Sequence, residues 1–235
     1  MAKTPDPSVP TGFPIRGWFA DSHADFRREM LALARPKSYA PGSVIYQAGD
    51  AGRDVFGISA GVVTVQCRFI HPDAVLLHML RPGDWFGTVP LLVEQSRRIT
   101  AIARTDVELL RVPGDELRAV LRRRPEWVAE LGRDTVHSLD VTMQGAADLL
   151  IRDASARCAA VLLRLAGRRW ASGPDAELPS EIPASQTELA MLCNLSRNTF
   201  SRVVQEFTSR QLVTLGYRSL TVNNPARLRE VADAG

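Results

Sequence analysis

Long apolar runs are absent from this sequence. No stretch approaches the roughly 18 residues that span a bilayer, and the opening MAKTPDPSVPTGFP has no apolar segment behind Lys3. Neither a membrane-embedded nor a secreted protein is expected. Cysteine is scarce, since Cys67, Cys158 and Cys193 are odd in number, widely spaced and without a CxxC pairing. A reducing cytoplasm is the expected setting, with these thiols as small core residues. Lysine is nearly missing: of the 29 basic residues only Lys3 and Lys37 are lysine, and the arginines that make up the rest suit phosphate recognition through a bidentate fork. Catalytic signatures such as HExxH, a P-loop or GxGxxG are missing as well, so no enzyme is expected. His23 between Asp21 and Asp25 looks like a metal triplet, but polar alternation at a helix start is better explained as capping and solvation.

What is present fits a globular chain. The 235 residues are 45% hydrophobic and 23% charged, close to the usual averages of roughly 45 to 50% and about 25%. Such a chain can bury a core and holds one large domain or two modest ones. The net charge of +3 is too mild to name a partner.

Residues 1–15, rich in proline and small polar groups, read as a flexible arm. In GWFADSHADFRREMLALAR, Phe19, Phe26, Met30 and Leu33 fall on one stripe and predict one short amphipathic helix. Over 38–112 the pattern changes to brief β-rich runs broken by glycine turns: VIY at 44–46, VVTVQC at 62–67, AVLLHML at 74–80, ITAIA at 99–103 and VELLRV at 107–112. Strands this short, with turns this regular, predict an antiparallel β-roll. His71 reads as a hairpin-turn residue.

Helical signals return at 116–123 and then run over 125–150, about 39 Å at 1.5 Å per residue. There Val128, Leu131, Thr135, Ser138, Thr142, Gly145 and Leu149 alternate steps of three and four, the seam of a two-helix coiled coil. A homodimer through 125–150 is the expectation. The small or polar middle of that seam leaves room for a polar group nearby, and His137 is assigned to the exposed side. Asp153 can cap a further helix through 157–165, so a hinge at Arg152 and Asp153 separates two domains.

The most informative segment is SQTELAMLCNLSRNTFSRVVQEFTSR. Ser185 followed three residues on by Glu188 is a capping box that opens a short helix. Asn194 turns the chain, and Ser196 caps a second helix whose Phe200, Val203, Val204 and Phe207 face inward. Arg197, Asn198, Ser201 and Arg202 occupy the opposite face, which makes the pair a helix-turn-helix with a recognition helix. Arginine reads the O6 and N7 of guanine, and asparagine pairs with adenine or a phosphate. QLVTLGYRSLTVNN then predicts two short strands around Gly216, a β wing with Arg218 near its tip placed to touch a phosphate.

GDAGRDVFGISAGVVTV, RPGDWFGTVPLL with RRITAIARTDVELL after it, the long helix, and PASQTELAMLCNLSRNTFSRVV together resemble the Crp/Fnr family of bacterial transcription regulators over residues 18–230. The resemblance implies an α+β protein. Its parts are a flexible arm at 1–15 and an effector-sensing antiparallel β-roll at 16–124, a jelly roll like that of cyclic nucleotide-binding domains. A dimerisation helix and hinge at 125–152 and a winged helix-turn-helix at 153–235 follow. It also implies a cytoplasmic homodimer that binds an inverted-repeat operator in double-stranded DNA and influences RNA polymerase. Arg197 and Arg202 match the family's two arginines and Ser201 the serine of the Fnr branch. Asn198 replaces the usual glutamate, so the preferred half-site should differ. Ser185, Thr187, Ser196 and Thr199 are expected on phosphates, which fix register without encoding sequence.

In nucleotide-responsive members of that family, a phosphate cassette carries a Gly-Glu pair and, further on, an Arg-Ser pair. Gly87 matches the glycine, Thr88 stands in place of the ribose-binding glutamate, and Arg97 or Arg98 matches the phosphate arginine without the serine. Thr142 falls where a hydroxyl meets the nucleotide base across the dimer. A carboxylate makes charge-assisted bonds to ribose worth about 1.5 to 3 kcal/mol each, which threonine would not fully replace. The effector stays open among cyclic AMP, against which Thr88 counts, another anion, a small metabolite, and none. An iron–sulfur cluster is not expected because no cysteine precedes Cys67. Nor is haem, for which His78 is the one candidate ligand. The alternative is a cyclic-nucleotide-binding regulatory module that acts through protein contacts without DNA binding, and the winged-helix segment opposes it.

Overall fold

The chain folds into two units, residues 1–139 and 140–235, and the computed structural model describes residues 13–67, 75–171 and 174–235. His71 and most of the expected arm lie outside the described residues. Phe13 belonged to that arm by composition, yet it is buried, with its ring 5.3 Å from that of Trp85 and 6.3 Å from that of Phe19. The single amphipathic helix expected after it is two helices, α1 (Gly17–Asp21) and α2 (Ala24–Leu33). Ser22 breaks them apart by donating its hydroxyl to the Phe19 carbonyl at 2.8 Å, and the His23 imidazole then accepts from the Asp25 N–H at 3.2 Å. His23 is therefore a cap, as its surroundings in the sequence suggested. Phe19, Phe26 and Met30 are buried as expected.

Among the described residues eight strands follow: β1 (Arg35–Tyr39), β2 (Val44–Tyr46), β3 (Val55–Ala60), β4 (Val63–Cys67), β5 (Val75–Leu80), β6 (Trp85–Phe86), β7 (Thr100–Ala103) and β8 (Val107–Val112). They form two antiparallel sheets in the orders β1-β8-β3-β6 and β2-β7-β4-β5. The predicted runs are β2, β4, β5, β7 and β8. The others escape the pattern for separate reasons. β1 is an exposed edge that tolerates Pro36 and shows no apolar alternation. β6 is only two residues long, and β3 carries Gly57 in its centre. That glycine is required, because a Cβ there would sit 2.9 Å from the Trp85 ring on the neighbouring strand.

A short helix, α3 (Val89–Leu92), follows β6, and α4 (Gly114–Arg123) follows β8. After a single 3₁₀ turn at Pro125–Trp127 the long helix α5 runs Val128–Leu150. Its burial corrects the predicted seam. Leu131 is completely buried among Phe26, Leu117 and Trp127, and Gly145 packs against the Arg164 guanidinium. The exposed apolar row lies about one residue further round: Val136, Leu139, Met143 and Leu150 are each more than half exposed. With Ala146 they alternate steps of three and four. The shift arises because two apolar rows share the helix, and sequence spacing does not say which one packs against its own chain. No helix among the described residues is long and apolar enough to cross a membrane.

The second unit contains α6 (Ala154–Leu165), β9 (Ser180–Ile182), α7 (Gln186–Leu192), α8 (Arg197–Ser209), β10 (Val213–Gly216), β11 (Ser219–Val222) and α9 (Pro225–Asp233). Its sheet order is β10-β11-β9. Asp153 caps α6 by accepting from the Ala156 N–H at 2.7 Å. From Cys158 onward every residue of α6 is buried, including one charge. Arg164 Nε donates to Asp148 Oδ2 of α5 at 3.1 Å, and Arg169 stands 3.8 Å from the other carboxylate oxygen. Burial pushes the Asp148 carboxyl up, and the two arginines pull it back. Replacing Asp148 by alanine leaves Arg164 buried without its partner, and a loss of about 3 to 5 kcal/mol is expected. Urea unfolding followed through the α6 amide protons measures it.

Candidate functional site

Two serines set the helix-turn-helix. The Ser185 hydroxyl accepts from the Glu188 N–H at 3.3 Å, while Glu188 Oε2 accepts from the Ser185 N–H at 2.8 Å, closing the predicted capping box at the start of α7. The helix ends at Cys193, and Asn194 turns the chain with φ +49°, a left-handed conformation that asparagine tolerates. The Ser196 hydroxyl accepts from the Thr199 N–H at 3.1 Å and opens α8. Phe200, Val203, Val204 and Phe207 are all buried beneath it.

The opposite face is open. Ser196, Arg197, Asn198 and Arg202 are exposed, Thr199 and Ser201 half-buried. Among the described residues neither Arg197 nor Arg202 has a hydrogen bond or ion pair, so both guanidiniums are free to meet an external acceptor. Thr187 is exposed and Ser185 half-buried on the neighbouring helix. The wing forms as predicted from β10 and β11, paired from Val213 with Val222 to Gly216 with Ser219. Its two-residue tip is Tyr217 and Arg218, with Arg218 at φ +51°. Tyr217 is 93% exposed. Sequence reasoning passed over it, although an aromatic beside an arginine at a hairpin tip is a usable signal. A bidentate cation, an amide and hydroxyls on the first turns of one helix, with a basic hairpin in the same unit, suit a duplex with phosphates and base edges.

The second candidate site lies at β6 and α3. Gly87 has φ +92°, and a Cβ on it would lie 2.7 Å from an Arg97 nitrogen. Arg97 is nearly fully buried and bonds its own chain: Nη1 donates to the Gly87 carbonyl at 2.7 Å and Nη2 to the Asp54 carbonyl at 2.5 Å. Its guanidinium stacks 4.2 Å from the Tyr46 ring centre. Burial lowers the Arg97 pKa against the pull of nearby Tyr46, Asp54 and Asp50, and raises the Tyr46 phenol to about 12. Arg98 is exposed, so the two arginines that the sequence left as alternatives point differently, and only Arg97 reaches the cassette.

Thr88 is buried too, and its hydroxyl donates to Asp134 Oδ2 of α5 at 2.6 Å. Burial pushes the Asp134 carboxyl up to about 7, reinforced by Asp84 and opposed by hydrogen bonds from Thr88 and Trp18. Thr142 lies on the exposed surface of α5 in the second unit. The Thr88–Asp134 pair was not foreseen. The available signal was that Asp134 and Asp148 are two heptads apart and so recur on one side of the helix.

Two family models match the chain: a cyclic nucleotide-binding domain over residues 36–124 and a Crp-like helix-turn-helix domain over residues 156–231. The cyclic AMP receptor protein of Thermus thermophilus is 30% identical over 206 residues, covering 86% of this chain and 90% of that protein. A CRP-like cAMP-activated global transcriptional regulator of Mycobacterium tuberculosis is 27% identical, covering 83% and 86%. Among solved structures, a CRP/FNR-family transcriptional regulator from Thermus thermophilus superimposes with a TM-score of 0.63 at 25% identity, covering 85% of this chain and 98% of that one. FixK2 from Bradyrhizobium japonicum shares the fold, with a TM-score of 0.67 at 22% identity over 84% and 96%.

The buried Asp134 makes stability depend on pH. Its folded pKa of about 7 lies above its unfolded value, so the native state holds the proton more tightly. That contribution is complete below about pH 4 and is lost as pH rises through about 7. Asp134→Asn is expected to flatten this fall, as measured by urea unfolding at about pH 5 and about pH 8.

Proposed function

Because the chain belongs to the Crp/Fnr family of transcription regulators and is accordingly a DNA-binding regulator, we propose that two copies bind an inverted-repeat operator, each laying α8 in the major groove. The observation that carries this reading is the split of α8 between a buried apolar face and an open face bearing Arg197, Asn198, Ser201 and Arg202. Arg197 and Arg202 read guanine edges, and Asn198 reads adenine where a glutamate would accept from cytosine. Ser185, Thr187, Ser196 and Thr199 hold phosphates and set the register, with Arg218 on the wing adding a further phosphate contact. The Crp-like helix-turn-helix match over residues 156–231 disfavours the alternative of a module that acts only through protein contacts.

The division of labour follows the chain. Residues 16–124 are the sensing β-roll, 125–152 the dimerisation helix and hinge, and 153–235 the DNA-binding domain. The exposed row Val136, Leu139, Met143, Ala146 and Leu150 supports pairing with a second copy, since an unpaired apolar stripe on so long a helix gains by burial. The bound dimer works in the cytoplasm and acts on transcription through RNA polymerase. Members of this family are regulators rather than enzymes.

The β-roll residues do not fit a cyclic nucleotide. The ribose carboxylate is replaced by Thr88, whose hydroxyl is engaged by Asp134. Arg97 Nη1 and Nη2, which would meet a phosphate, hold the Gly87 and Asp54 carbonyls, and only the buried Nε is left over. Control of this regulator is therefore read as independent of cyclic AMP.

Selection of duplexes from a random pool, repeated with and without cyclic AMP, tests the reading. A palindromic consensus that is the same in both arms is expected, and binding should weaken steeply with salt. Arg197→Ala is expected to cost about 1 to 3 kcal/mol of operator affinity. Leu139→Asp is expected to give monomers by light scattering and to abolish preference for the palindrome over one half-site. Equal binding to scrambled duplexes would overturn the proposal.

A further inference from the structure

Cys158 and Cys193 meet inside the second unit. The Cys193 thiol donates toward Cys158 Sγ across 3.9 Å, and both side chains are completely buried. Cys158 belongs to α6, whereas Cys193 is the C-cap of α7, just before Asn194 turns the chain into α8. The same turn is tied to α6 through its backbone, because Arg157 Nε donates to the Cys193 carbonyl at 2.9 Å while Nη1 holds the Ile151 carbonyl at 2.6 Å. Cys67, by contrast, is in β4 of the first unit.

We propose that Cys158 and Cys193 are an oxidative modification site: a hydroperoxide converts them to an intramolecular disulfide that displaces the turn ahead of α8. The Cys193 sulfur attacks one peroxide oxygen, the O–O bond breaks, and the thiol proton leaves with the other oxygen as water. The Cys158 sulfur then attacks the resulting sulfenic acid, the S–O bond breaks, and the second thiol proton leaves with that hydroxyl as water. Two thiols and one hydrogen peroxide thus give one disulfide and two waters, with two electrons passing from the sulfurs to the peroxide. The Cys193 hydrogen bond and burial push the Cys158 thiol up, and the stoichiometry is the same whichever sulfur attacks first.

The geometry explains why such a bond would be felt. A disulfide needs about 2.05 Å between sulfurs, so the 3.9 Å gap must shorten by nearly half. From Cys158 onward α6 is packed on every side, which leaves the end of α7 as the part that moves. Oxidant reaches the pair through local opening of the turn, which is cheaper than global unfolding. The consequence for duplex binding rests on the function proposed above, but the chemistry at the sulfurs does not.

The test uses the full chain treated with hydrogen peroxide, denatured, and labelled with a maleimide. The reduced protein carries three free thiols and is expected to take a label on each. After peroxide only Cys67 should label, with no disulfide-linked chains on a non-reducing gel and full recovery in dithiothreitol. Amide exchange over 193–199 should change, and affinity for the selected duplex should fall about tenfold. Cys158→Ser or Cys193→Ser should remove the peroxide response. Labelling of all three thiols after peroxide, or a disulfide without altered exchange, would overturn the proposal. Should a serine variant fail to fold, the wild-type labelling and exchange decide. If the reduced protein ignores every duplex, the functional reading falls, and the same two measurements still judge the sulfur pair.

Discussion

A guanidinium cannot be taken out of water without a partner, and the second unit is built around that constraint. Helix α6 is buried throughout its later turns, and Arg164 is the charge enclosed there. Asp148, supplied by the last turns of α5, answers it, and Gly145 one turn earlier leaves the space through which the guanidinium passes. A pair of this kind adds little net stability, because desolvation offsets most of its attraction, but it makes any arrangement that separates the two groups very costly. It thereby fixes the end of α5 to the domain that carries α8.

The first unit uses buried polar groups in a related way. Thr88 and Arg97 stand at positions where a resemblance to nucleotide-responsive regulators would place ligand contacts, yet each bonds to the protein itself, Arg97 through both terminal nitrogens while its buried Nε has no partner among the described residues. Arg97 bridges two backbone carbonyls and stacks on Tyr46, and Thr88 reaches the long helix through Asp134. Buried polar groups held by several such bonds favour one conformation. The β-roll and the first part of α5 are thus joined by a hydrogen bond internal to the fold.

The architecture was largely legible from residues whose local chemistry is strong. Ser185, Ser196 and Asp153 announced their helices because capping depends on near neighbours, and the inward residues of α8 followed from a single clear period. What sequence could not show were the long-range partners. Asp134 with Thr88, Asp148 with Arg164 and Cys158 with Cys193 join residues that only the fold brings together, and no spacing rule encodes them. The seam on α5 failed for a related reason: Leu131 and Leu139 are equally apolar, and only tertiary packing decides that the first faces the core. Strand β1 escaped because an edge need not alternate, and Phe13 because one aromatic in a proline-rich stretch carries no period.

That same edge strand has a bearing on how neighbouring molecules behave at high concentration. β1 leaves one margin of its sheet bare, and a bare margin is a template on which other strands can add. Pro36 removes an amide from the row, and Lys37 places a charge beside it. Copies crowded together are thereby discouraged from growing into fibrous aggregates.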